Sequence, residues 1–226
     1  MLNGTRVALV VAVASAFAAG VAQQVGPPPY IALENDYVKV SVSPPATPTM
    51  LADCFSFETP LVRLIVPTTV TTPMPDIPGK PNYTRVFAAY AAPPRGVVTC
   101  SRKEHASVII VYLKAQSAKS VFHDDAAKID HAHNEVLLDN DRLRVVRIRF
   151  EPGESGPMVD KRARVIIART DSQATVTFPD GHSEPREVKA GTISFGNAGR
   201  QATKNTGTTP LENIVVELKS KDSEKK

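Results

Sequence analysis

The side chains best suited to binding a metal ion form a group of histidines and aspartates near the middle of the chain. The group comprises His123, Asp124, Asp125, Asp130, His131 and His133. Because residues two apart on a strand point to the same side, His131 and His133 can present both imidazoles together. Imidazole nitrogen and carboxylate oxygen are common ligands of divalent transition metals, so His131, His133 and Asp124 form a candidate metal site. The alternative is a polar connector that binds nothing.

Other arrangements with catalytic or nucleic-acid-binding spacing are absent from the sequence. His105 and His182 are isolated, no Ser–His–Asp set has a local signature, and no glycine-rich phosphate-binding loop is present. The formal net charge is +4, but the Lys and Arg residues are spread along the chain without an aromatic-basic stripe. We therefore expect no nucleic-acid partner.

The N-terminus has the composition of an export signal. Arg6 provides a positive start, residues 7–19 are small and apolar, and residues 20–22 suit a signal peptidase. A membrane-spanning helix needs ~20 apolar residues, which this stretch does not reach, although an uncleaved anchor is the alternative. We predict a cleaved signal peptide over residues 1–22, a periplasmic or extracellular location, and no membrane span in the mature protein.

The chain contains two cysteines, Cys54 and Cys100. In an exported protein two cysteines usually pair, so we predict a disulfide between them, with two buried free thiols as the alternative. A loop of this size would be stabilised by ~4 kcal/mol in the chain-entropy model. Neither cysteine lies in a CxxC motif, so a redox role has no support.

Residues 134–219 alternate short β-branched runs with turn sequences and show no helical period. Asp139-Asn140-Asp141 separates the first two runs, and Pro179-Asp180-Gly181 is typical of a hairpin turn. This pattern predicts an antiparallel sandwich or barrel. In the run from Leu143 to Phe150 the apolar parity changes at Val145-Val146. The change predicts either a β-bulge there or a strand that is buried on both faces.

The runs VLLDNDRLRVVRIRFEPGESGPM and TVTFPDGHSEPREVKAGTISFGNAGRQATKNTGTTPLENIVVELK, in this order, resemble small single-barrel bacterial cupins. The match spans about residues 128–219, which is well under half of the chain. The resemblance implies an all-β fold, a double-stranded β-helix or jelly-roll barrel. It also implies a metal held by two histidines one residue apart, a glutamate and a third histidine, and barrels that often pair as homodimers.

The positions of these metal ligands carry other side chains in this sequence. By the resemblance, the paired histidines fall on Val159 and Lys161, and the third histidine falls on Gln201. The glutamate falls on an apolar residue of the following run. Valine has no donor atom, and an ammonium group must lose its proton before it binds a metal. We therefore predict no cofactor, with a divalent transition metal on displaced ligands such as His131 and His133 as the alternative.

The same alignment predicts that Val159, Lys161 and Gln201 line the barrel interior. An inward ammonium group needs a carboxylate, a carbonyl or a bound anion to offset its desolvation. The sharper hypothesis is therefore that the interior binds a small anionic molecule. The alternative is that Lys161 is an ordinary surface charge.

The first half of the chain repeats parts of the second. The segment ALENDYVKVSV echoes LLDNDRLRVVRI, which predicts that residues 30–120 are a degenerate first barrel of a bicupin, interrupted by a Pro- and Thr-rich insertion. The alternative is an accessory β region whose strands pack on a single barrel. Residues 121–133 are then a polar connector, residues 134–219 the cupin-like barrel, and residues 220–226 a disordered tail.

Three functions follow from these observations. The first is an exported, metal-free, non-catalytic module that binds a small molecule. The second is a metal-dependent cupin enzyme of dioxygenase or isomerase type that uses displaced ligands. The third is a structural partner, for example in a homodimer, whose barrel is filled by apolar side chains instead of enclosing a ligand pocket.

Overall fold

The computed structural model describes residues 29–43, 61–67, 87–91, 106–114 and 125–219. The predicted signal segment, both cysteines, Asp124 and the predicted tail lie outside these ranges. The strands before residue 115 are β1 (Tyr30–Glu34), β2 (Val38–Ser43), β3 (Leu61–Pro67), β4 (Phe87–Ala91) and β5 (Ala106–Leu113). One short helix, α1 (Ala126–Ile129), follows. The remaining strands are β6 (Asn134–Asp139), β7 (Leu143–Phe150), β8 (Val159–Lys161), β9 (Arg164–Ala168), β10 (Ser172–Thr177), β11 (Ser183–Val188), β12 (Ile193–Gly196), β13 (Gly199–Asn205) and β14 (Leu211–Leu218).

The C-terminal strands form two facing antiparallel sheets. One sheet has the order β12-β9-β14-β7-β6 and the other has the order β11-β10-β13-β8. From β7 to β10, and again from β11 to β14, successive strands alternate between the two sheets. The hairpins β6–β7 and β10–β11 each stay within one sheet. This alternation defines a jelly-roll, double-stranded β-helix, and it confirms the predicted fold class.

The predicted turns are present at the predicted residues. Gly181, in the hairpin between β10 and β11, has φ of 87°, a left-handed value that glycine adopts without steric cost. Asn140 organises the turn from β6 to β7, where its Oδ1 accepts hydrogen bonds from the backbone N–H groups of Arg142 (2.8 Å) and Leu143 (3.0 Å). Both turns follow from local sequence chemistry.

The pairing of strand β7 distinguishes the two explanations for the shift of its apolar residues from odd to even positions at Val145-Val146. The strand pairs with β14 without interruption from Leu143 to Phe150, and its first four residues are all buried. The register shift lies on the neighbouring strand β6, between Val136 and Leu138, opposite Val145 and Val146. The predicted bulge in β7 is therefore wrong, and the strand is buried on both faces because a separate layer covers each face.

The strands β1 to β5 form one five-stranded sheet of order β1-β2-β5-β3-β4. This is the order of the larger C-terminal sheet if β1, β2, β3, β4 and β5 correspond to β6, β7, β9, β12 and β14. The turns correspond as well, since Asn35 accepts from the N–H groups of Tyr37 and Val38, both at 2.9 Å, as Asn140 does in the second copy. The register shift in β1, between Ile31 and Leu33, also matches that in β6.

An ion pair also recurs at equivalent positions of the two segments. Lys114 pairs with Glu34 at 3.0 Å, and Lys219 pairs with Asp139 at 2.7 Å. Topology, turn, register shift and ion pair thus recur together, which supports the predicted internal duplication. The segments that would supply the second sheet of the first copy lie outside the described residues.

The apolar faces of the two five-stranded sheets pack against each other in a single core. Val38 and Leu143, Leu64 and Ile167, and Val111 and Val216 occupy corresponding positions in the two sheets, and all contribute to this core. Strand β1 contacts β12 and β4 contacts β6, as an approximate two-fold relation requires. The face of the barrel sheet that packs in this core is therefore covered by a sheet of the same chain.

Hydrogen bonds of the Asn205 side chain connect the end of β13 with the turn before β14. Its buried side chain donates from Nδ2 to the carbonyls of Phe150 (3.0 Å) and Thr209 (2.9 Å) and accepts from the N–H of Gly207 (3.0 Å). We expect Asn205→Ala to lower the free energy of unfolding by about 2 kcal/mol, because these groups lose partners they cannot replace. Denaturant titration measures the loss. The exposed neighbour Lys204, replaced by Ala, should change stability by less than about 0.5 kcal/mol, and equal effects at both positions would refute this role.

Candidate functional site

The barrel interior is identified by a small apolar cluster that joins the two C-terminal sheets. Phe150 of β7 and Leu211 of β14 pack with Ala174 of β10, which belongs to the opposite sheet. Side chains alternate along a strand, so every second residue from Phe150 and Leu211 also faces inward. This alternation brings Arg144 of β7 and Glu217 of β14 into the interior, where they are directly paired across the strands.

Arg144 and Glu217 form a buried ion pair. The Nε and Nη2 of Arg144 donate to Glu217 Oε2 at 2.8 and 2.6 Å, and both residues are only 3% exposed. Asp125, whose Oδ1 also caps helix α1, contacts Nη1 of Arg144 at 2.8 Å. Burial alone would lower the pKa of Arg144, but the charges and hydrogen bonds of Glu217 and Asp125 outweigh it and raise that pKa. Both carboxylates are thus engaged by Arg144.

Arg164 of β9 lies opposite Glu217 and is also buried. Its Nη1 donates to the carbonyls of Arg162 and Asn197, both at 3.0 Å, and its Nη2 lies 3.4 Å from Gln201 Oε1. Burial lowers the pKa of Arg164, Glu217 partly offsets this, and the charge of Arg186 lowers the pKa further. Within the described residues, no carboxylate forms an ion pair with this guanidinium group.

A glycine makes room for Arg164. A Cβ atom on Gly196, which pairs with Arg164 across β12 and β9, would come within 3.0 Å of the guanidinium carbon. A Cβ atom there would be in tight contact with the guanidinium group, which would have to shift by a few tenths of an ångström. The guanidinium group is thus held by hydrogen bonds to two carbonyls, and it packs closely against Gly196.

Lys161 of β8 is the second interior cation without an ion pair among the residues that the structure describes. Burial is the main cause of a lowered pKa for Lys161, and the charge of Arg164 lowers it further. Glu217 and Asp130 act in the opposite direction without cancelling the shift, and Arg144 adds to it. Lys161 is half-buried.

The other two predicted site residues lie beside Lys161. Val159 is almost fully buried and pairs with Gln201 across β8 and β13. Gln201 in turn contacts the Arg164 guanidinium group, with 3.4 Å between Oε1 and Nη2. Arg144, Arg164 and Glu217 were not predicted from the sequence.

The interior carries more positive than negative charge. Its cations are Arg144, Lys161 and Arg164. The nearby carboxylates of Glu217 and Asp125 are both bonded to Arg144. Asp130 and Asp139 pair with His133 and Lys219 instead. Buried charge that is not offset costs free energy, so this interior favours a bound anion.

The side chains of the barrel interior are not suited to binding a transition metal. Guanidinium and protonated amine groups repel a cation, and Val159 has no donor atom. We therefore assign no chemistry to a metal in this barrel.

The displaced-ligand alternative depends on His131 and His133. His131 is exposed, whereas His133 Nδ1 lies 2.6 Å from Asp130 Oδ1 and its ring stacks on Phe150 at 4.4 Å. Over the described ranges, no three His, Cys, Asp or Glu side chains are arranged to hold a metal. Asp124, the third predicted ligand, lies outside those ranges.

A separate charge network lies on the outer face of the barrel sheet. Glu212 contacts Arg147 (2.9 Å), Arg149 (3.2 Å) and Arg169 (3.6 Å). Burial would raise the pKa of Glu212, but the hydrogen bonds and charges of these arginines outweigh it and hold the pKa below its ordinary value of 4.5. The network offsets the charge of Glu212 in the folded state.

This lowered pKa predicts a pH dependence of stability. The contribution of ionised Glu212 is fully present above pH 4.5 and is lost as the pH falls through the lower folded-state pKa. We expect Glu212→Gln to reduce the slope of unfolding free energy against pH below 4.5, measured by denaturant titration at several pH values. Equal slopes in wild type and variant would contradict this assignment. Glu184→Gln, at an exposed carboxylate, is the matched control.

The solved structures similar to this chain include cupin proteins of low sequence identity. No protein-family model matches the chain, and no curated protein matches it. A cupin domain from Bordetella pertussis is 22% identical and covers 38% of this chain and 92% of its own, with a TM-score of 0.37. An RmlC-like cupin from Methanocaldococcus jannaschii is 22% identical and covers 45% of this chain and 91% of its own, with a TM-score of 0.32. An oxalate oxidase in complex with glycolate is 20% identical and covers 34% of this chain and 42% of its own, with a TM-score of 0.27.

The strand order and pairing of residues 134–218 are those of a double-stranded β-helix, the cupin fold, as the resemblance implied. No helix within the described segments has the length and apolar character needed to cross a membrane.

Proposed function

We propose that this protein is an exported, metal-free, non-catalytic cupin-like module that binds a small organic anion in its C-terminal barrel. The observation that supports the proposal is the pair of interior cations, Lys161 and Arg164, which have no ion pair within the described residues. A carboxylate placed between them would offset both desolvation costs at once.

The surrounding groups suit a carboxylate. A guanidinium group presents parallel N–H donors that match the two oxygens of a carboxylate. Gln201 directs Oε1 toward Arg164, which leaves its amide N–H groups as donors to a ligand. These residues thus supply a charged anchor, a second cation and a neutral donor.

The proposal is tested by a thermal-shift screen of the purified protein with chloride, phosphate, acetate, malonate and lactate. At a ligand concentration 100 times the dissociation constant, a specific ligand stabilises by about 2.7 kcal/mol. We expect at least one carboxylate to raise the melting temperature, and we expect Lys161→Met to abolish the rise. Lys204→Met, at an exposed position on β13, is the matched control and should retain it. No response to any anion would refute the proposal.

Anion affinity should also fall with rising pH. The pKa of Lys161 lies below the ordinary value of 10.5, so its charge is lost at a lower pH than that of an exposed lysine. Affinity should therefore be highest where Lys161 is protonated and decrease as the pH rises through the lowered pKa. Binding measured by calorimetry should follow this course in wild type and stay flatter in Lys161→Arg, whose guanidinium group remains charged. A parallel decrease in both proteins would exclude Lys161 as the titrating group.

The metal-free and exported parts of the proposal have separate tests. Elemental analysis of the purified protein should find no stoichiometric transition metal, whereas a bound metal would favour the alternative of a metal-dependent cupin enzyme. Sequencing the N-terminus of the secreted or periplasmic protein should place the mature start after residue 22. An intact Met1 in the cytoplasmic fraction would refute export.

A further inference from the structure

We infer that Asp125 is an internal competitor for the anion of the C-terminal barrel: its carboxylate occupies the interior cation Arg144 in the free protein, and a bound organic anion displaces it. This inference rests on the proposed anion site and concerns the regulation of that site by the described part of the connector, residues 125–133. It follows from the contact that Asp125 makes, the way its segment is attached and the solvent exposure of its carboxylate.

Arg144 binds two carboxylates that come from different parts of the chain. Glu217 accepts hydrogen bonds from Nε and Nη2 of Arg144 at 2.8 and 2.6 Å. The two oxygens of Asp125 lie 2.8 and 2.9 Å from the remaining terminal nitrogen, Nη1. One carboxylate thus belongs to the barrel and the other to the connector. The carboxylate of a ligand presents the same two oxygens, so it can replace that of Asp125 at Nη1 with the same kind of charged hydrogen bond.

The two carboxylates are not held equally firmly. Glu217 lies on β14, which pairs with β7 on one side and with β9 on the other, and its side chain is 4% exposed. Asp125 precedes the four-residue helix α1, and an isolated bridge to Asp160 attaches it to the barrel. A helix of this length is not stable by itself. The Asp125 side chain is 19% exposed, so an anion from solvent can reach and displace this carboxylate.

Displacement also supplies the space that the ligand requires. The carboxylate of the ligand takes the volume that the Asp125 carboxylate leaves, so the exchange needs no preformed cavity beside Arg144. Arg144 and Arg164 are the cross-strand neighbours of Glu217 on β7 and β9. The exchange therefore takes place at the charged end of the barrel, where the proposed anchor Arg164 also lies.

The same carboxylate links the barrel interior to helix α1. Oδ1 of Asp125 accepts a hydrogen bond from the N–H of Ala127 at 3.1 Å, and its backbone carbonyl accepts from Lys128 and Ile129, both at 2.9 Å. When Asp125 leaves Arg144, the side-chain contact between the helix and the interior is lost. Anion binding should therefore loosen α1, which gives the displacement a readout separate from affinity.

The first test is calorimetric titration of the full-length mature protein and of Asp125→Asn with malonate. Asparagine keeps the cap on α1, because its side-chain oxygen also accepts from Ala127, but it lacks the charge that competes for Arg144. We expect at least about five-fold tighter binding in the variant, the lower end of the usual coupling between two sites. Asp141→Asn removes an equal charge at an exposed position and should stay within about two-fold of wild type.

The second test is amide hydrogen exchange of the wild-type protein, which requires no variant. Coupling is reciprocal, so saturating malonate should weaken the Asp125 contact by the same factor by which that contact weakens malonate binding. We expect the amide groups of residues 127–130 to exchange about five-fold faster or more with malonate bound. Unchanged or slower exchange would overturn the displacement, because a carboxylate that stays on Arg144 keeps α1 in place.

The outcomes separate this inference from the proposed function. If wild type binds malonate and Asp125→Asn binds it no more tightly, the displacement is wrong and the anion site stands. If Asp125→Asn alone binds malonate, the competition is supported, and the proposal that the wild-type protein binds such an anion is wrong. If neither protein binds malonate, both are wrong.

Discussion

Replacing Glu217 by glutamine is expected to lower the free energy of unfolding by about 3–5 kcal/mol, because it leaves a buried guanidinium group without its main counter-charge. Glu217 accepts two hydrogen bonds from Arg144 at 2.6 and 2.8 Å inside the barrel. Its charge also favours the protonated forms of Lys161 and Arg164. Removing it increases the excess positive charge of the interior while keeping the shape of the side chain.

The matched control removes both members of the pair. Arg144→Met combined with Glu217→Leu replaces the ion pair by apolar side chains of similar size, and we expect it to recover most of the stability lost in Glu217→Gln. Denaturant titration of wild type, single variant and double variant measures the three free energies. A single variant within about 1 kcal/mol of wild type would show that this pair contributes little to the barrel.

The second large effect concerns the core shared by the two five-stranded sheets. Leu64 and Ile167 occupy corresponding positions on the two sheets, and both are fully buried in the same cluster. We expect Leu64→Ala and Ile167→Ala each to lower the free energy of unfolding by about 2–5 kcal/mol, the range for removing a large buried aliphatic side chain. Lys204→Ala, at an exposed position of the barrel, is the control.

The manner of unfolding is as informative as the size of the loss. Because both sheets contribute to one core, either substitution should shift a single cooperative transition, followed by circular dichroism and by tyrosine fluorescence. The chain has no tryptophan, so tyrosine is the available fluorophore. Two separate transitions, of which each variant shifts only one, would show that the halves are independent units and would contradict the shared core.

The sequence predicted the fold well because the relevant signals are local. Turn chemistry at Asn140 and Gly181 follows from a few neighbouring residues, and the alternation of apolar residues identifies the strands. The echo of LLDNDRLRVVRI in ALENDYVKVSV predicts a duplication, and Asn35 and Asn140 form equivalent turns in the two segments. Local patterns of this kind require no knowledge of distant partners.

The charged interior was only partly predictable, because it depends on residues that are distant in sequence. Lys161 and Gln201 were identified by alignment with a known kind of metal site. Arg144 and Glu217 lie 73 positions apart in the sequence. Arginines that alternate with apolar residues in a strand ordinarily indicate a solvent-facing side. Arg144 departs from this expectation because both faces of β7 are covered. A charged residue within a strand buried on both faces is the signal that would have identified it.

We propose above all that the C-terminal barrel binds an organic anion and holds no metal. Calorimetric titration of the wild-type protein and Lys161→Met with malonate and with zinc tests it most directly. The account predicts one malonate bound per chain in wild type, none in Lys161→Met, and no zinc at the barrel interior in either. A stoichiometric zinc site in the barrel, together with no heat from malonate, would contradict it.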